Sequence, residues 1–286
     1  MTTTIQENLL PTGKMHVSFS EVKQWKECSY RHKLIYIDGL RDESSSPMVE
    51  FGSIIHRALE KFLKSGIIDK DTMIVDLNRV WDEKKFDSEE HIILETAKSK
   101  KSGYTYEHVP IEEWISFGKK NLDDAKEFLD TNFPGYKVLG IEEYLFDPIE
   151  DLPYKFKGFI DAVIEVPDGK KAKTVLIDWK TTGPRGWAQD KKRDVMVQSQ
   201  LLLYKHFWMQ RTGLESKDVK CAFVIIRRIA KGKTSFSLLE VSAGPTSRDK
   251  ATKVLRDMIS GVLKGRFLKN RNSCKYCPFL GTSHCT

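Results

Sequence analysis

Two short apolar runs, "GFIDAVIE" at 158–165 and "VLIDWKTT" at 175–182, each carry an aspartate inside what is otherwise a hydrophobic strand. Both are rich in β-branched and aromatic residues and read as neighbouring strands entering a core. An unpaired carboxylate in such a place is costly. Any fold for this chain must therefore bring Asp161 and Asp178 to compensating partners. Side chains alternate along a strand, so Asp178 and Lys180 share one face while Trp179 points to the other. Two readings fit. Asp178 and Lys180 could be a salt-bridged pair at a strand end. Alternatively the acids hold a divalent cation, since Mg2+ and Mn2+ take hard oxygen ligands from one or two carboxylates together with waters and phosphate. In the second reading Lys180 is placed to neutralise a phosphate, or to orient or deprotonate an attacking water.

The flanking segments predict a mixed α/β architecture. "SFSE" at 18–21 offers Ser18 as an N-cap with Glu21 three residues on, ahead of a helix through "VKQWKECSYRHKLIY". Phe51, Ile54, Ile55, Ala58, Leu59, Phe62 and Leu63 follow helical spacing up to a stop at Gly66. Helical patterns continue from about 71 to 133, with a charged break at 98–110, and suggest an inserted helical subdomain. The period then changes to strands near 136–147, 154–166 and 173–180, a meander punctuated by "DPIEDLP" and "PDGKK". A helix to about Gln210, strands at about 219–228 and 233–241, and a last helix ending at Gly265 follow. A strand-rich core of about 136–242 would thus be succeeded by a C-terminal helix and cysteine region at 245–286.

Among the 286 residues, 47 Lys and Arg against 40 Asp and Glu give a net charge of +7, which favours a polyanionic partner. Basic clusters recur as "KSKK" (98–101), "KKR" (191–193), "RR" (227–228) and "KNR" (269–271), each readable as a phosphate contact or as solvated surface. The longest apolar stretches, such as "AFVII" at 222–226, are far too short to span a bilayer. No secretory pattern is visible near Met1, so the expected compartment is cytoplasmic. "AKGKTSF" at 230–236 contains Gly-Lys-Thr but lacks the upstream glycine of a phosphate-cradling loop, which argues against a motor in this chain.

"CSYRHKLIYIDGL" (28–40), "FGSIIHRALEKFL" (51–63), "GFIDAVIE", "VLIDWKTT", "QLLLY" (200–204) and "CKYCPFLGTSHC" (274–285) occur in one succession. The set resembles the RecB-like branch of the PD-(D/E)XK nuclease superfamily, including AddB-type and CRISPR-associated exonucleases that carry an iron-sulfur cluster. The resemblance runs from about Ser18 to Cys285, although 71–133 carries no matching motif. It implies a restriction-endonuclease-like core sheet flanked by helices, and a metal-dependent DNA exonuclease acting in recombination, repair or end processing. Some members stand alone and some are virus-encoded; a helicase or recombination partner would be a separate protein.

Carried over position by position, the resemblance makes His56 a metal ligand, otherwise a helix-surface histidine. Asp161 becomes the acid of the Gly-x-x-Asp motif that begins at Gly158, and Asp178 and Lys180 become the Asp-x-Lys pair. It adds the Trp179 carbonyl to the metal set and puts Gln200 and Tyr204, four residues apart on one helix face, near DNA and the active site. Gln198 is a neighbouring decoy. A further glutamate on the preceding strand is common in the family, and the sequence does not separate Glu142 from Glu143. Two other functions compete: a DNA-binding module that no longer cuts, and a zinc-stabilised interaction protein.

Three of the five cysteines, Cys274, Cys277 and Cys285, crowd into the C-terminal segment, and a C-x-x-C pair is a strong metal-site element. The family pattern supplies the fourth ligand, Cys28, and makes the centre a 4Fe-4S cluster clasping both ends of the domain. Structural Zn2+ suits four cysteines equally by spacing. Cys221, in an alternating apolar strand, reads as a small buried hydrophobe.

Overall fold

A computed structural model describes residues 9–40, 45–102, 105–229, 234–275 and 277–286 and, of residues 100–102, the backbone alone. Part of the 41–47 loop and most of "AKGKTSF" lie outside the described residues, as do the side chains of Lys100 and Lys101.

Six strands form one mixed sheet among these residues. β2 (Lys137–Pro148), β3 (Lys155–Asp168) and β4 (Lys171–Thr182) make the expected antiparallel meander. β4 then runs parallel to β5 (Val219–Arg227), and β6 (Phe236–Glu240) pairs antiparallel with β5. A parallel step requires a crossover, and helices α7 (Gln189–Arg193) and α8 (Val195–Thr212) supply it. The remaining strand, β1 (His16–Ser18), adds parallel to the start of β3. Three residues are too few for a legible alternation, which is why the sequence gives no sign of β1.

Helices cover both faces. On one side α1 (Phe19–Glu27), α8 and α9 (Pro245–Leu263) close a core through Val22, Leu201, Leu203, Phe207, Leu255 and Met258 against Phe156, Leu176 and Phe223. On the other, α3 (Pro47–Ser65), α4 (Lys70–Lys84) and α6 (Ile111–Asn132) pack Ile54, Leu59, Leu77, Trp114 and Leu122 onto Ile164, Ile177, Trp179 and Val224. α3 has the cap chemistry its sequence offers: Ser46 accepts from the Val49 amide, Pro47 opens the first turn, and Gly66 closes the helix at φ 72°.

Two sequence expectations change. The helix begun at Ser18 does not run through to Tyr36, because Cys28 is extended (φ −161°, ψ 106°) and restarts the chain as α2 (Ser29–His32), which continues as a π-helix over Lys33–Ile37. Ser18 Oγ does accept from the Glu21 amide, but the Glu21 carboxylate turns inward to meet buried His32 Nε2 at 3.3 Å. The break expected at 98–110 begins later, since α5 (Glu89–Ser102) extends through the whole basic run at 98–101. No described helix is long and apolar enough to cross a membrane.

Candidate active site

β3 gives one edge to β2 and divides the other between two strands. β1 takes residues 155–157, and β4 takes Ala162 onward. Ala162 opposite Ile177 is the last β3–β4 pair; beyond it β4 departs alongside β5 as far as Thr182. The two aspartates sit at this fork. Where β3 no longer serves the ladder, the Trp179 amide donates instead to Asp161 Oδ2 at 2.6 Å. The side chain of Asp161 thus satisfies a buried backbone donor that the divergence would leave unpaired.

Helix α3 closes one side of the fork. A Cβ on Gly52 would stand 2.6 Å from Thr181 Oγ1, so glycine permits the close approach of α3 to β4. One turn on, His56 Nδ1 lies 3.8 Å from Asp161 Oδ2, too far for a hydrogen bond, and the ring meets the Trp179 carbonyl. Helix α8 closes the other side. Gln200 Nε2 donates to Asp178 Oδ1 at 2.6 Å and approaches the Tyr204 hydroxyl at 3.1 Å. Gly158 makes room for that tyrosine, because a Cβ there would meet Tyr204 Cε1 at 2.8 Å. Gln198 is turned away to the Lys192 carbonyl. His56, Asp161, Asp178, Trp179, Lys180, Gln200 and Tyr204 are therefore neighbours, although they come from four elements.

The adjacent glutamates separate in space. Glu142 falls between the Ile141–Ala162 and Glu143–Ile160 pairs, opposite Asp161, with φ 51°. Its carboxyl is pushed up by burial and by Glu60, with Asp178 contributing. Glu143 is ion-paired to Arg211 Nη1 at 3.2 Å, away from the fork. Neighbouring positions on a strand face opposite ways, but which one faces the site depends on register, and no signal in the sequence carries that.

The electrostatics are those of a site short of positive charge. Burial raises the pKa of both Asp161 and Asp178; Asp178 raises Asp161 further, while Lys180 opposes both shifts. Lys180 Nζ stands 2.5 Å from Asp178 Oδ2 as a charge contact. That oxygen is fully enclosed and depends on the Lys180 ammonium for compensation. Burial, then Lys180, lowers the pKa of His56 to about 4, which keeps the imidazole neutral and able to ligate. Two buried carboxylates that share one lysine for compensation, a neutral imidazole and a backbone carbonyl are a donor set that fits a hard divalent cation. Among the described residues no three His, Cys, Asp or Glu side chains are already drawn together as a ligand group.

The cysteines gather at the far end of α1. Cys28, Cys274, Cys277 and Cys285 line one small cavity, and none forms a disulfide. The extended backbone at Cys28 presents Sγ to the amides of Arg31 (3.5 Å) and Asn270 (3.4 Å), donors suited to a thiolate. Cys221 is buried in β5, as its pattern implies. Of the basic clusters, Arg228 lies over Trp114 (4.4 Å), Lys191 over Trp187 (4.6 Å) and Lys269 over Tyr30 (5.1 Å). None of these three has a carboxylate within ion-pair distance among the described residues.

Against known proteins, the profile of the PD-(D/E)XK nuclease superfamily matches residues 16–282. No curated protein matches the chain. Among solved structures, the crystal structure of a candidate exonuclease from Eubacterium rectale superposes with a TM-score of 0.53 at 11% identity, covering 97% of this chain and 92% of that one. At that identity the likeness is one of fold.

Proposed function

The chain belongs to the PD-(D/E)XK nuclease superfamily, and from that premise we propose that it is a divalent-metal-dependent DNA exonuclease. A nuclease is what the family establishes; ends, metal and polymer are our reading. The observation that carries it is the fork itself, which brings two buried carboxylates, Asp161 and Asp178, together with the Lys180 ammonium that opposes the charge of both. His56, Asp161, Asp178 and the Trp179 carbonyl would hold a cation of the Mg2+ or Mn2+ type, which would supply a more acidic water and neutralise phosphoryl charge.

The chain's own groups do the rest. Lys180 Nζ, partly exposed on the same strand face as Asp178, neutralises the phosphate or holds the proton of the attacking water. Gln200 fixes the orientation of Asp178 through Oδ1, and the Tyr204 hydroxyl backs Gln200. Burial raises the Tyr204 pKa, so this hydroxyl stays protonated as a positioning group. Glu142 joins the carboxylates opposite Asp161.

In the same reading, 136–242 is the nuclease core, about 71–133 a helical insertion, and 245–286 with Cys28 a clasp around a 4Fe-4S cluster. Iron and sulfide analysis of anaerobically purified protein separates that cluster from structural zinc. Recombination, repair or end processing, with a helicase or recombination protein as partner, is the matching role.

The test is cleavage of end-labelled single-stranded and duplex DNA with Mg2+ or Mn2+, comparing the wild type with Lys180→Ala. Metal-dependent shortening from an end that the variant lacks supports the reading, and the product ladder gives its direction. A folded, cluster-loaded wild type that binds DNA but never cuts it would sink the enzyme and leave a binding module.

A further inference from the structure

The outward face of β2 and β3, next to the fork, carries a row of rings. Tyr144 and Phe159 are cross-strand partners with centroids 5.0 Å apart, and Tyr144 stacks on Phe146 at 5.7 Å and 12°. His16 of β1 meets Phe146 edge-on at 5.7 Å. Tyr144 and Phe159 remain 45% and 42% exposed, so the packed helices leave this row in solvent. Exposed clustered rings on a sheet mark an interaction surface.

Lysines interleave the rings. Lys155 Nζ is 4.7 Å from the Phe146 centroid, and Lys157 Nζ is 5.9 Å from that of Phe159. Lys14 joins Lys157, His16, Phe159 and Tyr204 around a groove of about 270 Å³. The carboxylates that β2 places beside the row, Glu143 and Asp147, are both held by Arg211. The surface thus offers cations and π-faces together.

The row also points at the chemistry. Phe159 and Asp161 are two residues apart on β3, as are Tyr144 and Glu142 on β2, so the rings follow the carboxylates along the same two strands. Tyr204, whose hydroxyl contacts Gln200, lines the groove that borders Phe159.

We propose that this row is a stacking platform for single-stranded DNA, with unpaired bases on Phe159, Tyr144 and Phe146 and their phosphates on Lys14, Lys155 and Lys157. Base–ring stacking combined with a basic track suits single strands because every unpaired base exposes a π-face. Bases inside a duplex do not, and a duplex is held mainly through its phosphates. The proposal deepens the nuclease reading by naming its substrate class, and it rests on that reading.

The experiment measures binding, with divalent metal omitted so that nothing is cut. Fluorescence anisotropy of the full chain is followed with a labelled oligothymidylate and with a labelled blunt duplex. Tyr144→Leu/Phe159→Leu, which keeps apolar bulk on both strands, should weaken oligothymidylate binding about tenfold or more. Duplex binding should change by less than about twofold. Lys155→Ser/Lys157→Ser, at sites that stack on nothing in the core, should weaken the single strand and reduce its salt slope by about 1.4. Single-strand binding unchanged in the ring variant, or lost equally for both DNAs, overturns the platform. Failure of the nuclease reading looks different: the wild type would not cut with metal, yet the ring variant would still lose single-strand affinity.

Discussion

The strand fork and the cysteine clasp both join residues far apart in sequence, but they are held together in different ways. At the fork, β-ladders fix the backbone on either side of Asp161 and Asp178, and large cores lie above and below. Its side chains are positioned by the fold before any ligand arrives. At the clasp, the two chain ends meet through scattered polar contacts. The Leu268 amide donates to Ser29 Oγ (2.8 Å), Asn270 Nδ2 and Ser273 Oγ donate to the Glu27 carbonyl (2.8 and 2.7 Å), and the Tyr30 hydroxyl donates to the His284 carbonyl (3.1 Å). Among the described residues, only Leu34, Phe279 and Cys285 are buried in its small core. So little apolar burial would leave the clasp dependent on the metal centre proposed for its cysteines, whereas the fork stores charge that the fold itself must carry.

The largest expected effect tests the fork. Lys180→Ala should reduce metal-dependent cleavage by about a thousandfold or more while the fold survives, read from product formation and from circular dichroism. Near-normal cutting would reduce the Asp178–Lys180 contact to a structural salt bridge. A second pair of substitutions sharpens the same point. Glu142→Gln should lower activity about 10- to 100-fold, and Glu143→Gln by no more than about threefold, because only Glu142 lies opposite Asp161.

Stability should then move in opposite directions at the two regions. Cys277→Ser should abolish iron or zinc binding at the proposed centre and lower Tm by about 5 °C or more, seen by metal analysis and calorimetry. Asp178→Asn should raise the Tm of metal-free protein by about 2 °C. The sign follows from linkage: burial holds the folded pKa of Asp178 above its ordinary 3.8, so the folded state binds the proton more tightly. Stability is therefore lost as pH rises through the interval between those values, and the neutral asparagine removes that loss. If both variants fell together, the two regions would not differ as described.

The smallest effect is chemical. Burial pushes the Cys221 thiol up to about 12, leaving almost no thiolate at pH 8. Iodoacetamide should spare Cys221 in folded protein, while cysteines of the clasp react once their metal is stripped. Peptide mapping by mass spectrometry checks this.

Much of the scaffold was legible because it rests on short-range regularities. The apolar stripe of α3 with its Gly66 stop, the meander of β2, β3 and β4, and the shared face of Asp178 and Lys180 follow from periodicity and turn chemistry. The site residues came from motif resemblance, and the structure places them side by side. β1 was too short to leave a pattern, and the interruption at Cys28 lay inside a run with no glycine or proline to mark it.

By itself the sequence determined that two acids lie within core strands and that cysteines crowd its end, since composition and period are local properties. Only the tertiary structure decided that β3 and β4 diverge between Ala162 and Asp161, that Glu142 rather than Glu143 faces the acids, and that Tyr144, Phe146 and Phe159 form one exposed row. The physical reason is register. Cross-strand neighbours are set by which residues pair across the ladder, and that pairing is chosen by the packing of the whole sheet rather than by any single stretch of chain.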